Sequence, residues 1–317
     1  MLVKAIVPYY YPEILNFKVY AYNSWIKEGG EVAKPHYPAR MLHRFVFKYG
    51  LPLIRRNSKE ARLRFVSGHS IYFDTFPDYM FYEIIPLIWD CWPYEIKKVS
   101  SFFYKYNIKT AFFTSSQIAE YFHKEFPSMN IMHVSEGVDL KLYSQGRDLI
   151  NRNIDILEVG RKKGHFFKSP LSENLHHVKT GNFDRVFKSD EEFREALANT
   201  KITVNVPRCD VDKTRAGNIE TLTQRYWECM LSRVIMVGRA PKELTDLIGY
   251  NPVINWDGYD ATPLVENILE HIEDYQNLVD RNYETALRLA SWELRIRKIM
   301  HFLNEKGYSL GNYGHNT

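Results

Sequence analysis

The sequence has little cysteine: Cys91, Cys209 and Cys229 stand far apart among 317 residues, and none belongs to a Cys-x-x-Cys pair. Such scattered thiols exclude a disulfide framework and fit a reducing compartment. The chain also lacks an apolar run near the roughly 18 residues that a membrane-spanning helix needs. With 45% hydrophobic and 25% charged residues, its composition excludes disordered, collagen-like and integral membrane classes.

Several motifs of common catalytic and binding sites are also missing. The chain has no His-Glu-x-x-His, no zinc-type Cys/His spacing, no P-loop and no Gly-x-Gly-x-x-Gly. It has no repeat of solenoid period and no low-complexity segment. The short apolar stretch before Pro8 is interpreted as a first strand rather than a signal peptide. We therefore expect a cytoplasmic protein.

Short apolar runs alternate with helical patterns along the whole chain, which favours an α/β fold with parallel sheets. The polar stretch SQGRDLINRN precedes the strand-like NIDILEVG and is interpreted as a linker. The predicted domains are residues 1–150 and 151–300, with a tail at 301–317. Capping-box spacings at Thr114-x-x-Gln117 and Ser189-x-x-Glu192 predict helix starts. Two doubly wound domains imply a central cleft lined by the carboxyl ends of the strands.

The net charge of +4 includes a basic segment in the first half of the chain. Nine basic residues and one acid, Glu60, lie between Lys34 and Arg64. Two interpretations stand: a face for an anionic membrane or a phosphorylated acceptor, or a solvated surface. The first implies peripheral contact at the inner face of the membrane. We expect no nucleic-acid partner.

A pair of glutamates, Glu220 and Glu228, is separated by seven residues just before a strand-like segment. If a helix begins around Thr221, Leu222 and Thr223, Glu220 lies at its mouth and Glu228 about 12 Å further along its axis. Each carboxylate accepts bonds from two hydroxyls, which suits the ribose and the hexose of a nucleotide sugar. The helix N-terminus predicts an anion site for the diphosphate between them. The alternative is a solvated helix face.

The order of elements around these glutamates resembles the retaining glycosyltransferases of family four, the group-one glycosyl transferase domain. The Arg225-x-x-Glu228 element resembles the branch of spore-coat maturation glycosyltransferases. Three further segments match in order: FFTSSQIAEYF, VSEGVDLKLY and DILEVGR. The resemblance spans roughly residues 110–300 and is loose before them.

This resemblance implies a GT-B fold, with two Rossmann-like domains facing a central cleft and a C-terminal helix crossing back to the first. The acceptor would bind the first domain and a UDP- or GDP-linked sugar the second. The implied activity is metal-independent, retaining transfer of a sugar to a glycan or lipid-linked acceptor, in surface polysaccharide or glycoconjugate biosynthesis. No cofactor beyond the donor substrate is expected.

By the same resemblance, Arg161 and a following lysine match the cations that contact the donor diphosphate. Lys163 keeps the Lys-Gly dipeptide and is favoured over Lys162 and Lys168; a solvated basic turn is the alternative. Glu228 would bind ribose, Glu220 the sugar, and Arg225 belongs to the donor site. Asp90 and His69 each follow a predicted strand and are candidates for sugar or acceptor contacts, or else a capping aspartate and a structural loop histidine.

Three rival functions stay open. The Asp210-x-Asp212 pattern has the form of a metal site in transferases of the GT-A fold, although flanking basic residues favour a donor-site loop without metal. The second rival is a non-catalytic protein that binds nucleotide sugars in the same cleft. The third is a peripheral membrane protein whose main feature is the basic segment between Lys34 and Arg64.

Overall fold

A computed structural model describes residues 1–8, 16–35, 59–159, 166–179 and 186–311. The chain divides into two compact units, one comprising Met1–Glu136 with Trp292–Thr317 and the other Gly137–Ser291. Each unit contains one parallel sheet with helices along its connections. The prediction of two α/β domains is thereby confirmed.

The first unit contains a six-stranded sheet of spatial order β2-β1-β3-β4-β5-β6. All of its neighbouring strands pair in parallel. The central strands are apolar and buried on both faces, as parallel sheets require, because helices pack on each side. Its strands are β1 (Leu2–Ile6), β2 (Val32–Ala33), β3 (Glu60–Ser67), β4 (Glu83–Trp89), β5 (Thr110–Phe113) and β6 (Asn130–His133).

Helices follow most of these strands, as the sequence pattern predicts. Short 3-10 turns span Gly68–Ser70 and Asp78–Met80 beside β3. The α-helices of the first unit are α1 (Asn16–Lys27), α2 (Ile71–Thr75), α3 (Pro93–Tyr106), α4 (Ser116–Glu125) and the C-terminal α12 (Trp292–Glu305).

The second unit contains a five-stranded parallel sheet of order β11-β10-β9-β7-β8. Its strands are β7 (Ile154–Glu158), β8 (His177–Lys179), β9 (Thr200–Asn205), β10 (Ile235–Gly238) and β11 (Val253–Asn255). Its helices are α5 (Asp190–Ala198), α6 (Arg208–Val211), α7 (Lys213–Ala216), α8 (Gln224–Leu231), α9 (Lys242–Ile248), α10 (Thr262–Glu270) and α11 (Gln276–Leu289).

Both predicted helix starts are confirmed. The Ser189 hydroxyl accepts a hydrogen bond from the Glu192 N–H at 3.1 Å, at the start of α5. The helix α4 begins at Ser116, within the predicted Thr114-x-x-Gln117 segment, and its N-cap is Ser115, whose side chain makes no capping hydrogen bond.

The division between the units differs from the predicted boundary near residue 150. The polar stretch taken as a linker packs into the second unit, where Leu149 is fully buried. The guanidinium of Arg152 donates to the carbonyls of Gln145, Arg147 and Thr200 at 2.7–2.9 Å. These internal bonds explain why a polar segment belongs to the folded unit.

The C-terminal helix α12 belongs to the first unit, which confirms that the chain crosses back. Residues 292–300 therefore belong to the first unit and not, as was predicted, to the second domain. Residues 301–305 lie in α12 and are not part of a separate tail. Trp292 is fully buried, with its ring 5.4 Å from that of Trp89 in β4. Beyond the helix, the Ser309 carbonyl accepts from the Val3 N–H at 2.9 Å.

The basic segment between Lys34 and Arg64 lies largely outside the described residues, which omit 36–58. Two of its arginines fall in β3 and are buried, so for them the prediction of a solvent-facing basic surface was wrong. Arg62 pairs with Glu60 at 2.8 Å and Arg64 with Asp78 at 3.0 Å. Among the described helices, none has the length and apolarity needed to cross a bilayer.

Because α12 completes the core of the first unit, Trp292→Ala should destabilise that unit alone. Removal of a buried tryptophan costs about 3–5 kcal/mol. Hydrogen–deuterium exchange should accelerate in β3 and β4 and stay unchanged in β9 and β10. Lys298→Ala, at an exposed position of the same helix, is the matched control. Equal acceleration in both sheets would contradict the assignment of α12.

Candidate functional site

Arg239 binds two carboxylates at the carboxyl edge of the second sheet. It directly follows β10, and its backbone N–H donates to the carbonyl of Asn205, the last residue of β9, at 2.9 Å. Its guanidinium donates to both oxygens of Asp210, at 2.8 and 2.9 Å. A third bond, from Nη1, reaches Oε2 of Glu220 at 2.6 Å. One cation thus joins Asp210 and Glu220.

Glu220 is fixed on its second oxygen as well. Its Oε1 accepts the backbone N–H of Lys242, at the start of α9, at 3.1 Å. The Glu220 side chain keeps 19% of its surface exposed, so a ligand can still reach it. It is a carboxylate held from two sides at the edge of the sheet.

The helix carrying Glu228 begins later than the sequence suggests. Its first residue is Gln224 and its N-cap is Thr223, so Glu220 lies in the preceding loop. The sequence predicts Glu220 at the mouth of a helix that begins around Thr221, Leu222 and Thr223, and the helix begins directly after these residues. The polar groups of this loop bind Glu243 of α9, which accepts the Leu222 N–H at 2.7 Å and the Thr221 hydroxyl at 3.4 Å.

Glu228 is a nearly buried carboxylate, with 6% of its side chain exposed. The Tyr143 hydroxyl donates to its Oε1 at 2.9 Å. Nε of Arg225 lies 3.3 Å from its Oε2, an ion pair without hydrogen-bond geometry. The Arg225 guanidinium also lies over the Phe193 ring, 4.9 Å from its centre. Within the described parts of the chain, no group donates a hydrogen bond to Oε2.

Three of the predicted diphosphate cations, Arg161, Lys162 and Lys163, lie outside the described residues. The third candidate lysine, Lys168, is described. Its ammonium lies 3.5 Å from the centre of the Tyr259 ring, and its backbone N–H donates to Oδ1 of Asp260 at 3.1 Å. Lys168 is thus held by a cation–π contact.

The first-unit candidates Asp90 and His69 lie at the carboxyl ends of neighbouring strands, as predicted. Asp90 follows β4 with φ of +48°, and His69 is exposed in the 3-10 turn after β3. The two loops are close, because a Cβ added at Gly68 would lie 3.1 Å from the Asp90 carbonyl oxygen. These two residues therefore occupy one edge of the first sheet.

A buried charge pair that the sequence analysis missed lies in the first unit. Nζ of Lys18 is 3.5 Å from Oδ2 of Asp74, which also accepts the Ser70 hydroxyl at 2.6 Å. Burial lowers the pKa of Lys18, while the charges of Asp74 and Asp90 oppose that shift. No spacing pattern marks these residues, since they meet only through the fold.

The Asp-x-Asp pattern of the second unit has arginine partners. Asp210 binds Arg239, while Asp212, with 7% of its side chain exposed, lies 3.4 Å from Arg208. Among the described residues, no group of three or more His, Cys, Asp or Glu side chains has the arrangement of a metal site.

Searches by sequence find no counterpart: no family model matches the chain, and no curated protein matches it. Solved structures do match across almost its whole length. HepE of Anabaena, in complex with UDP-glucose, has a TM-score of 0.59 at 10% identity, over 96% of this chain and all of that one. The chain has the GT-B fold.

Two further GT-B structures are similar. Sucrose-phosphate synthase of Thermosynechococcus elongatus has a TM-score of 0.53 at 13% identity, over 94% of this chain and 80% of that one. AviGT4, a glycosyltransferase of avilamycin A biosynthesis, has a TM-score of 0.52 at 13% identity, over 96% of this chain and 98% of that one. At these identities the likeness establishes the fold alone.

Within the GT-B fold, sequence reasoning missed Arg239 and Tyr143 as partners of the two glutamates. Arg239 has a weak signal, since a charged residue directly after a buried strand lies at the edge where α/β sheets bind ligands. Tyr143 has none, because it is far from Glu228 in sequence and reaches it through a non-local contact.

The backbone before Arg239 requires glycine. Gly238 has φ of +139°, and a Cβ there would lie 2.0 Å from the Asn205 carbonyl oxygen. We expect Gly238→Ala to cost more free energy of unfolding than the roughly 1–2 kcal/mol of left-handed backbone alone. The control is Gly249→Ala, with φ of +81° and no atom within 4 Å. Urea denaturation compares the two, and equal losses would show that the close approach to β9 has no cost.

Proposed function

We propose that this protein is a retaining glycosyltransferase that moves a sugar from a nucleotide diphosphate sugar to a glycan or lipid-linked acceptor. The observation that carries the proposal is the arrangement of two carboxylates on the second unit of a GT-B fold. Glu228 is buried, and one of its oxygens receives no hydrogen bond from any of the described residues, while Glu220 is fixed at the sheet edge. The complex of HepE with UDP-glucose supports a UDP-linked donor, with a GDP-linked one as the alternative.

Glu228 is assigned to the ribose of the donor. A buried carboxylate oxygen without a donor is costly, and a ribose hydroxyl would supply the missing hydrogen bond. Arg225, one third exposed, lies beside that oxygen, so it must shift or share the carboxylate when the ribose binds. Thr221, Leu222 and Thr223 remain candidates for the diphosphate, although Leu222 must first release Glu243.

Glu220 is assigned to the transferred sugar, and Arg161 with Lys163 to the diphosphate. Two cations on the leaving diphosphate would stabilise the negative charge that develops as the glycosidic bond breaks. The donor phosphate oxygen would take the proton of the acceptor hydroxyl during attack on the same face. Asp90 and His69 are assigned to the acceptor side. The basic segment that begins at Lys34, apart from its buried arginines Arg62 and Arg64, is assigned to contact with an anionic membrane that carries a lipid-linked acceptor.

The setting proposed for this reaction is the cytoplasm, at the inner face of the membrane, in surface polysaccharide or glycoconjugate biosynthesis. The chemistry of a lipid-linked acceptor supports it, because such a substrate keeps its apolar part in the bilayer while its sugar end meets the enzyme.

Nucleotide binding is tested by thermal shift with UDP, GDP, UDP-glucose and GDP-mannose, without metal. At about 100 times the Kd, a ligand adds about 2.7 kcal/mol and raises Tm by about 5 °C or more. Glu228→Gln keeps an oxygen for Tyr143 but removes the charge, and should weaken binding by roughly tenfold. The control is Glu284→Gln, at an exposed position of α11. The absence of any shift at millimolar ligand, or equal shifts in both variants, would contradict the proposal.

Retention is tested by slow hydrolysis of UDP-glucose, whose bond to phosphate is α. Proton NMR of the first-formed glucose should show the α anomer before mutarotation, and EDTA should leave the rate unchanged. First-formed β-glucose would contradict the retaining mechanism.

Loss of activity with EDTA and its recovery with manganese would favour the metal-dependent alternative through Asp210 and Asp212. Binding without cleavage or transfer to any acceptor would favour the non-catalytic alternative.

A further inference from the structure

The guanidinium of Arg239 is held more firmly than the side chain of an ordinary surface arginine. Its backbone N–H is bonded to Asn205, and its carbonyl accepts the hydroxyl of buried Tyr226 at 2.7 Å. Tyr226 lies on α8, two residues before Glu228. Gly238 lets β10 approach β9 closely, so the backbone of the next residue, Arg239, is held in place against β9.

The side chain of Arg239 is fixed as well, by Asp210. Two parallel N–H bonds between a guanidinium and a carboxylate define an orientation as well as an attraction. The hydrogen bonds to Asp210 also raise the pKa of Arg239, with Glu220 adding to the shift, so this cation keeps its proton. The Nη1 donor aimed at Glu220 therefore stays in one place.

The charges of Arg239, Asp210 and Glu220 determine which ligand groups these side chains can bind. One guanidinium faces two carboxylates, Asp210 and Glu220, so the three side chains carry a net negative charge. A net negative cluster attracts hydroxyl donors and repels phosphate. A carboxylate accepts more than two hydrogen bonds, so protein donors and ligand hydroxyls can share Glu220.

We propose that Asp210 and Arg239 are positioning residues that orient the Glu220 carboxylate toward the hydroxyls of the donor's sugar, and so determine sugar recognition but not nucleotide recognition. The inference rests on the proposed function, since it takes a nucleotide sugar as the ligand. On this proposal Asp210, the first residue of the Asp-x-Asp pattern, has a role that needs no metal. Asp210 holds Arg239, and Arg239 in turn orients Glu220.

The test separates the two parts of the donor. Calorimetry measures the Kd of UDP and of UDP-glucose, or of GDP and GDP-mannose if the thermal screen selects guanine. In Arg239→Gln and Asp210→Asn, nucleotide affinity should stay within about twofold. Affinity for the nucleotide sugar and kcat/KM for its hydrolysis should fall by about tenfold, the loss expected of a charged hydrogen-bond partner. Arg239→Lys should give an intermediate loss, because lysine keeps the charge but not the two-pronged geometry.

The matched control is Lys213→Ala. It removes an exposed cation of the same unit, at the start of α7. Both affinities should be unchanged. A double variant, Glu220→Gln with Arg239→Gln, should lose no more than the worse of its single variants, because Arg239 acts through Glu220.

Three results for the variants overturn the proposal. Equal losses for nucleotide and nucleotide sugar would indicate a general effect of charge or folding, which the melting temperatures of the variants report separately. Unchanged binding and hydrolysis of the nucleotide sugar in Arg239→Gln would show that the arginine has no role. Additive losses in the double variant would show that Arg239 acts apart from Glu220.

If wild type binds no nucleotide sugar at all, the proposed function fails together with this inference. If Glu228→Gln weakens binding and the Arg239 variants do not, only the positioning role fails.

Discussion

The parallel pairing of strands is the constraint on which the candidate site depends. In a parallel sheet every strand ends at the same edge, so side chains from distant parts of the sequence meet there. The register of β9 and β10 sets Asn205 beside Gly238, and the next residue, Arg239, emerges at that edge. The same rule brings His69 and Asp90 together after β3 and β4. The candidate residues of each unit thus lie at the carboxyl edge of its sheet.

Buried charge is the second constraint, and each unit meets it with a specific partner. Glu228 has Tyr143 and Arg225, while in the first unit Lys18 has Asp74 and Arg64 has Asp78. An unpaired charge at such positions would cost several kcal/mol, so these partners are as necessary as the apolar core around them. Oε2 of Glu228 has no hydrogen-bond donor within the described residues, and such an oxygen is suited to a donor from a ligand.

Much of the fold was predictable because it depends on local patterns. A few consecutive residues are enough to predict the apolar strands β4 and β10 and the Ser189 cap of α5. The domain boundary was not predictable, since the polarity of the segment around Arg152 suggests a linker, and only its distant carbonyl partner on Thr200 shows that it is folded. The late start of α8 was missed for the same reason, because Glu243 holds the preceding loop from α9.

The same distinction between local and distant partners decides what a short motif means. Glu220 and Glu228 were found from their spacing, and Glu228 lies on the predicted helix while Glu220 lies in the loop before it. Asp210 and Asp212 share a spacing typical of metal ligands, yet each lies against a different arginine, and the partner of Asp210 is remote in sequence. The spacing identifies residues at the right edge of the sheet, whereas their roles follow from which cation the fold brings to each carboxylate. A carboxylate paired with a fixed guanidinium has an orientation that a free one lacks, and orientation is what discrimination among sugar hydroxyls requires.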